Sequence, residues 1–116
     1  MKTLLVFGGN SLIAKDIIQK IQGKYKLNII TTSSKNNNDL LYFDFNNEDS
    51  YKNLLTLDNV DYVLWSQGYN VNDSIMTLNK DDYLKSMDVN INYIVLSLNY
   101  LIRNNKINTN ARLCII

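Results

Sequence analysis

The feature that most constrains this chain is at its start: an apolar run, residues 4–7 (Leu-Leu-Val-Phe), stops at Gly8-Gly9 and gives way at once to a helical pattern. A short continuous apolar run bounded by glycine suits a strand covered on both faces, the environment of a parallel sheet. Beyond Ser11, the residues Ile13, Ile17 and Ile21 fall on one helical face with Ile18 beside them, while Lys15, Gln19 and Lys20 point away and Gly23 supplies the stop. Strand, glycine turn and helix in this order open a doubly wound sheet, and the free N–H groups at the start of such a helix can hold an anion.

The same rhythm continues along the chain. Residues 27–31 read as a second strand and the polar stretch 33–39 as a loop. Residues 40–43 make a short third strand, after which Glu48, Asp49 and Ser50 lead into Tyr51, Leu54 and Leu55 at helical spacing. Residues 62–65 form a fourth buried strand. Asn79 suits the cap of a long helix with Asp81 and Asp82 in its first turn. Its expected core face takes Leu84 and Met87, then Ile91, Ile94, Val95, Leu98, Leu101 and Ile102, ending near Arg103; Tyr93, Leu96 and Tyr100 form a second apolar flank. Residues 112–116 look like a fifth strand. Strands alternating with helices predict one α/β domain over residues 1–116, a three-layer doubly wound parallel sheet of strand order 3-2-1-4-5, truncated after the fifth strand.

Composition narrows the chemistry. Twelve basic and eleven acidic residues leave a net charge of +1 with no basic block, which argues against nucleic acid or an anionic membrane as partner. The absence of His, with a single Cys, removes the usual zinc ligand sets and the His-based triads. Cys114, inside an apolar run, is expected to be a small core hydrophobe. No stretch approaches the roughly 18 apolar residues of a membrane span, and the N-terminal run is too short for a signal-peptide core, so the expected location is cytoplasmic.

The glycine turn, Gly8-Gly9-Asn10-Ser11-Leu12-Ile13-Ala14, resembles the T-G-x-x-x-G-x-G pattern of the short-chain dehydrogenase/reductases. Phe7 stands at the Thr, Gly8 at the first Gly, Leu12 at the second and Ala14 at the third, where a small residue suffices for helix packing. Four further segments are similar to that family in order. Residues 41–46 resemble its third strand, so that Asp44, followed by Phe45, would face the adenine amino group; the residues alone fit a cap on the next helix as well. Trp65-Ser66-Gln67-Gly68 stands where the family has Asn-Asn-Ala-Gly, along the cofactor ribose. Met87-Asp88-Val89-Asn90-Ile91-Asn92 resembles D-V-N-L-x-G, whose Asn bends the helix and holds, through its backbone carbonyl, a water linked to the catalytic Lys. The plain alternative for Asn90 is a solvent-facing side chain. Residues 111–116 resemble the strand that leads to the catalytic Ser.

The resemblance implies a Rossmann-like, cofactor-binding part of an NAD(P)-dependent oxidoreductase that reduces a carbonyl or oxidises an alcohol by hydride transfer. Gly8, Asn10, Ser11, Leu12 and Ile13 would hold the pyrophosphate, and Asn90 is the member of the catalytic set present. None of the eight tyrosines has Lys four residues on, so the chain alone is expected to be inert. The end of the second strand carries no acid, and Ser33, Ser34 and Lys35 could donate to a 2′-phosphate, which favours NADP over NAD; a solvated polar loop is the other reading. Members of the family commonly pair the long helix with its symmetry mate, so a homo-oligomer through residues 91–102 is expected. Two other classes stay open: a non-catalytic nucleotide-binding or sensing protein of the same fold, and an interaction module.

Overall fold

The computed structural model describes residues 1–35, 39–68 and 74–116; the middle of the expected polar loop, residues 36–38, lies outside them. Five strands, β1 (Lys2–Phe7), β2 (Leu27–Ser33), β3 (Leu41–Tyr42), β4 (Val60–Trp65) and β5 (Ile107–Ile115), form one parallel sheet of order β3-β2-β1-β4-β5. This is the expected doubly wound arrangement, with β1 at the centre and the order reversing on either side of it.

Helix α1 (Leu12–Gln22) covers one face of the sheet. Its inward residues are Ala14, Ile17, Ile18 and Ile21, which pack with Leu4, Val6 and Leu64. Ile13, expected on this face, is 54% exposed; the core position one residue later goes to Ala14, fully buried, whose small side chain lets the helix sit close to the strands. Gly23 ends the helix in a right-handed conformation, φ −76°, with its N–H on the Ile21 carbonyl.

The other face is covered by α2 (Glu48–Tyr51), the 3₁₀ turn Lys52–Thr56 that follows it, and a long helix in three parts: α3 (Lys80–Met87), a π-helical turn (Asp88–Asn92) and α4 (Tyr93–Arg103). Asn79 caps α3 as expected, its side chain accepting from the Asp82 N–H at 3.2 Å. Phe7 and Trp65 stack with ring centroids 5.7 Å apart, and Phe43 and Tyr93 meet Phe7 edge-on at 5.2 and 5.8 Å. Trp65 donates from Nε1 to Ser97 Oγ at 3.0 Å, and Ser97 Oγ donates to the Tyr93 carbonyl at 2.7 Å.

The face that α4 turns inward differs from the aliphatic stripe the sequence suggests. Tyr93, Ser97 and Leu101 are buried, with Ile94, Leu98 and Tyr100 packed against the core beside them. Ile91, Val95, Leu96 and Ile102 face outward, as does Leu84 on α3. Two physical causes act together. The buried polar atoms are satisfied, so Tyr and Ser are admitted where an apolarity count rejects them. The π turn accommodates about one extra residue, so no single 3.6-residue stripe runs through both α3 and α4.

Strand β5 is longer than expected and carries an irregularity: Val60 pairs with Ile107 but Tyr62 with Arg112, and Asn110 takes up the slack at φ 66°. Asp61 pins this region, accepting from the Thr3 N–H and the Asn108 side chain, each at 2.9 Å. Cys114 is exposed, contrary to the expectation of a core residue, because no described helix lies over β5 on its side of the sheet. Among the described residues no helix is long and apolar enough to cross a membrane, and no cluster of ligating side chains could hold a metal ion.

Candidate functional site

The reversal of strand order leaves a crevice outside the carboxyl ends of β1, β2 and β4, the place where open α/β sheets take ligands. Its volume is about 430 Å³, and it is lined by Gly8, Asn10, Ser11, Thr32, Ser33, Ser34, Ser66, Gln67, Gly68 and Val89. Eight of these ten were expected from the sequence. Thr32 and Val89 were not, because a Thr inside a strand and a Val inside a helix carry no chemical signal of their own.

Each wall has a local cause. Gly8 bends the chain at φ 77°, and a Cβ on it would come within 2.8 Å of the Gln67 nitrogen. A Cβ on Gly9 would come within 2.7 Å of the Thr31 Cβ, and the Gly9 N–H donates to the Thr32 carbonyl at 2.9 Å. Both glycines are thus required by the close approach of the turn to β2 and to the end of β4. Ser11 caps α1, its Oγ accepting from the Ala14 N–H at 3.0 Å. The N–H groups of the first helical turn, Leu12 and Ile13 among them, have no intrahelical acceptor and give this end of the crevice its positive character. Ser66 ties the β4 exit to the turn, its hydroxyl lying 2.8 Å from the Phe7 carbonyl and 3.0 Å from that of Gly8.

At the β2 wall, Ser33 Oγ accepts from Asn10 Nδ2 at 2.9 Å and from the Lys35 N–H at 3.1 Å. With two donors already on that oxygen, the Ser33 proton is left to point elsewhere. At the opposite wall, Gln67 Nε2 reaches toward the Val89 carbonyl at 3.4 Å, while its buried Oε1 has no hydrogen-bond partner among the described residues. Asn90, in the π turn beside Val89, donates from Nδ2 to Ser86 Oγ at 3.1 Å. Its Oδ1 would lie 3.8 Å from a Cβ on Gly68, an ordinary contact, so packing among the described residues leaves room for a side chain at Gly68.

The remaining expected residues stand outside the lining. Leu12 and Ile13, on the first turn of α1, are 84% and 54% exposed and do not line the crevice. Lys35 is exposed just past Ser34. Asp44 Oδ1 accepts from the Asn46 N–H at 3.0 Å, and the cap of α2 is Asn47, not Asp44. Phe45 packs on Tyr93 with centroids 5.6 Å apart. Burial raises the pKa of the Tyr93 phenol well above the ordinary range, which keeps it neutral beneath the site.

The crevice offers hydrogen-bonding groups suited to a polar, anionic ligand. A helix N-terminus, hydroxyls at the end of β2 and a buried Gln67 acceptor with no partner among the described residues converge on one crevice.

No family model and no curated protein matches the sequence. Solved structures do match. A Listeria innocua protein aligns over 97% of this chain and 54% of its own with a TM-score of 0.79 and 14% identity. A short-chain dehydrogenase family protein from Francisella tularensis aligns over 99% and 50%, TM-score 0.73, 20% identity. A short-chain dehydrogenase/reductase from Serratia marcescens aligns over 98% and 56%, TM-score 0.76, 16% identity. The chain spans about half the length of these structures. What it shares with them is the fold: a Rossmann-like sheet of the kind found in short-chain dehydrogenase/reductases.

Proposed function

We propose that this chain is the cofactor-binding part of an NAD(P)-dependent oxidoreductase of the short-chain kind, acting on a small carbonyl or alcohol. The observation that carries the reading is the convergence, at the switch point of the sheet, of the α1 N-terminus, Ser33–Ser34, Gly68 and the π turn that holds Asn90. Packing among the described residues does not demand glycine at Gly68, and its lack of a side chain would let a ligand come close.

In this reading the Leu12 and Ile13 N–H groups and the Ser11 end of α1 bind the pyrophosphate. The Ser33 and Ser34 hydroxyls, with Lys35 able to swing in from solvent, favour the 2′-phosphate of NADP over the bare ribose of NAD. Ser66, Gln67 and Gly68 border the ribose, and Asp44 with Phe45 closes the adenine end. When bound, the nicotinamide supplies the hydride chemistry. Asn90 belongs to the positioning machinery, and the Tyr–Lys pair that would move the substrate proton is not found within these residues. A single Cys and the lack of any disulfide partner suit a cytoplasmic setting. Association through the long helix would use the outward flank of Ile91, Val95, Leu96 and Ile102, because Tyr93 and Tyr100, expected beside Leu96 on the interface flank, pack into the core instead.

The test is titration calorimetry with NADPH and NADH. NADPH is expected to bind more tightly, and Lys35→Ala to narrow the difference by about tenfold, the size of a charge-assisted contact to phosphate. Failure of both nucleotides to bind would refute the reading, and equal affinities would refute the NADP preference.

A further inference from the structure

Among the described residues two buried side-chain polar atoms have no hydrogen-bond partner, Thr32 Oγ1 and Gln67 Oε1, and both residues line the crevice. Buried polar groups are almost always paired, and an orphan in the wall of a ligand crevice marks where a ligand atom completes the pair. Thr32 has the Tyr93 phenol beside it on the core side. Gln67 is the sharper case.

The orientation of its amide is set by its neighbour. A backbone carbonyl only accepts, so the end of the amide facing Val89 has to be Nε2, which turns Oε1 away from the π turn. That bond, at 3.4 Å, is long, and a small rotation of the amide brings Oε1 to the crevice. The backbone beneath it stays in place: the Ser66 hydroxyl is tied to the Phe7 and Gly8 carbonyls, and the Gly8 turn lies against the Gln67 nitrogen. The short-chain dehydrogenase/reductase pattern has Ala at this position, so a side-chain acceptor here is this chain's own feature.

An amide oxygen accepts and cannot donate, so its complement is a hydroxyl or an amino group and not a phosphate oxygen. The exits of β2 and β4 stand two strand spacings apart, about 10 Å, a gap that a ribose and a Gln side chain span together. We infer that Gln67 is a specificity-determining residue of the crevice: its Oε1 accepts from a hydroxyl of the adenosine ribose, and the site rejects a sugar that lacks one. This rests on the nucleotide reading above.

The probes are ADP and its 2′,3′-dideoxy analogue, titrated by calorimetry against the 116-residue chain and two variants, with NADPH and NADH alongside. The wild type should bind ADP about tenfold more tightly than the dideoxy form, the size of one hydroxyl contact to a buried acceptor. Gln67→Met should remove most of that ratio, and Gln67→Glu, which keeps an acceptor, should retain it even where both affinities fall. Without ligand, Gln67→Met should be at least as stable to urea as the wild type, since it takes away a buried acceptor with no partner. Equal binding of the two ADP forms, a ratio that survives Gln67→Met, NADPH binding without ADP binding, or a Gln67→Met chain less stable than the wild type overturns the inference and leaves the nucleotide reading standing. Failure of NADPH, NADH and ADP alike to bind refutes the nucleotide reading, and the inference with it.

Discussion

The two faces of the sheet are built from the same strands and finished differently. On the α4 side, Leu5, Phe7, Val63 and Trp65 are at most 1% exposed and meet a layer of aromatic rings. On the α1 side, Leu4 and Leu64 pack against a single helix, and beyond them the floor runs out into an open groove. Alternation along a strand makes two apolar faces equally well, but it does not decide which of them receives a cover. Energetically, the α4 side should therefore hold the fold together and the α1 side should tolerate change.

The largest expected contrast is between two neighbours in β4. Trp65→Ala should destabilise by about 4 kcal/mol, because it removes the largest fully buried side chain and leaves a cavity among rigid rings. Leu64→Ala, which borders the groove where side chains can relax, should cost about 2 kcal/mol. Urea unfolding of both variants measures the gap, and equal losses would mean that the two faces are equally consolidated.

A smaller effect tests the polar seam within the closed face. Ser97→Ala takes the acceptor from Trp65 Nε1 and leaves a buried donor unpaired, an expected loss of about 2 kcal/mol. Ser97→Thr, which keeps the hydroxyl, should recover most of it, with near-ultraviolet dichroism reporting the indole environment. If the alanine variant is as stable as the parent, the hydrogen bond is not what admits a serine to this core.

The smallest effect is at the sheet end of the open side, where Asp61 joins β1 to β5. The Thr3 N–H, then the Asn108 side chain, hold its carboxyl below the usual range. A carboxyl depressed in the folded state adds stability that is present above its unfolded pKa, about 3.9, and is lost as pH falls through the folded value. The wild type should therefore lose more stability than Asp61→Asn when thermal midpoints are compared between neutral pH and acid. Parallel curves would show that the carboxylate contributes nothing beyond an amide.

The sequence made the opening legible because strand, glycine pair and capped helix are set by local chemistry: Gly8 at positive φ and Ser11 on the Ala14 N–H both act within a few residues. The strand order follows from the crossover rule once the alternation is read. What stayed hidden depends on partners distant in sequence. Ser97 is inward because Trp65, 32 residues earlier, needs an acceptor. Cys114 is exposed because of what does not lie over it. At the crevice, the serines and glycines announced themselves by type, whereas Thr32 and Val89 became lining residues only through where β2 and the π turn end.

The π turn at Asp88–Asn92 has a mechanical meaning as well. It works as a phase slip in a shaft: α3 runs through it into α4 without keeping one angular register. Squeezing the turn back to α geometry, by deleting one residue or by pulling on it through Val89 at the crevice, would rotate α4 by about 100° relative to α3. Such a rotation would take Tyr93 and Ser97 out of the ring cluster and turn the outward flank of Ile91, Val95 and Ile102 toward the sheet. The underwound turn thus sets which face of α4 meets the sheet, and Val89 within it lines the crevice.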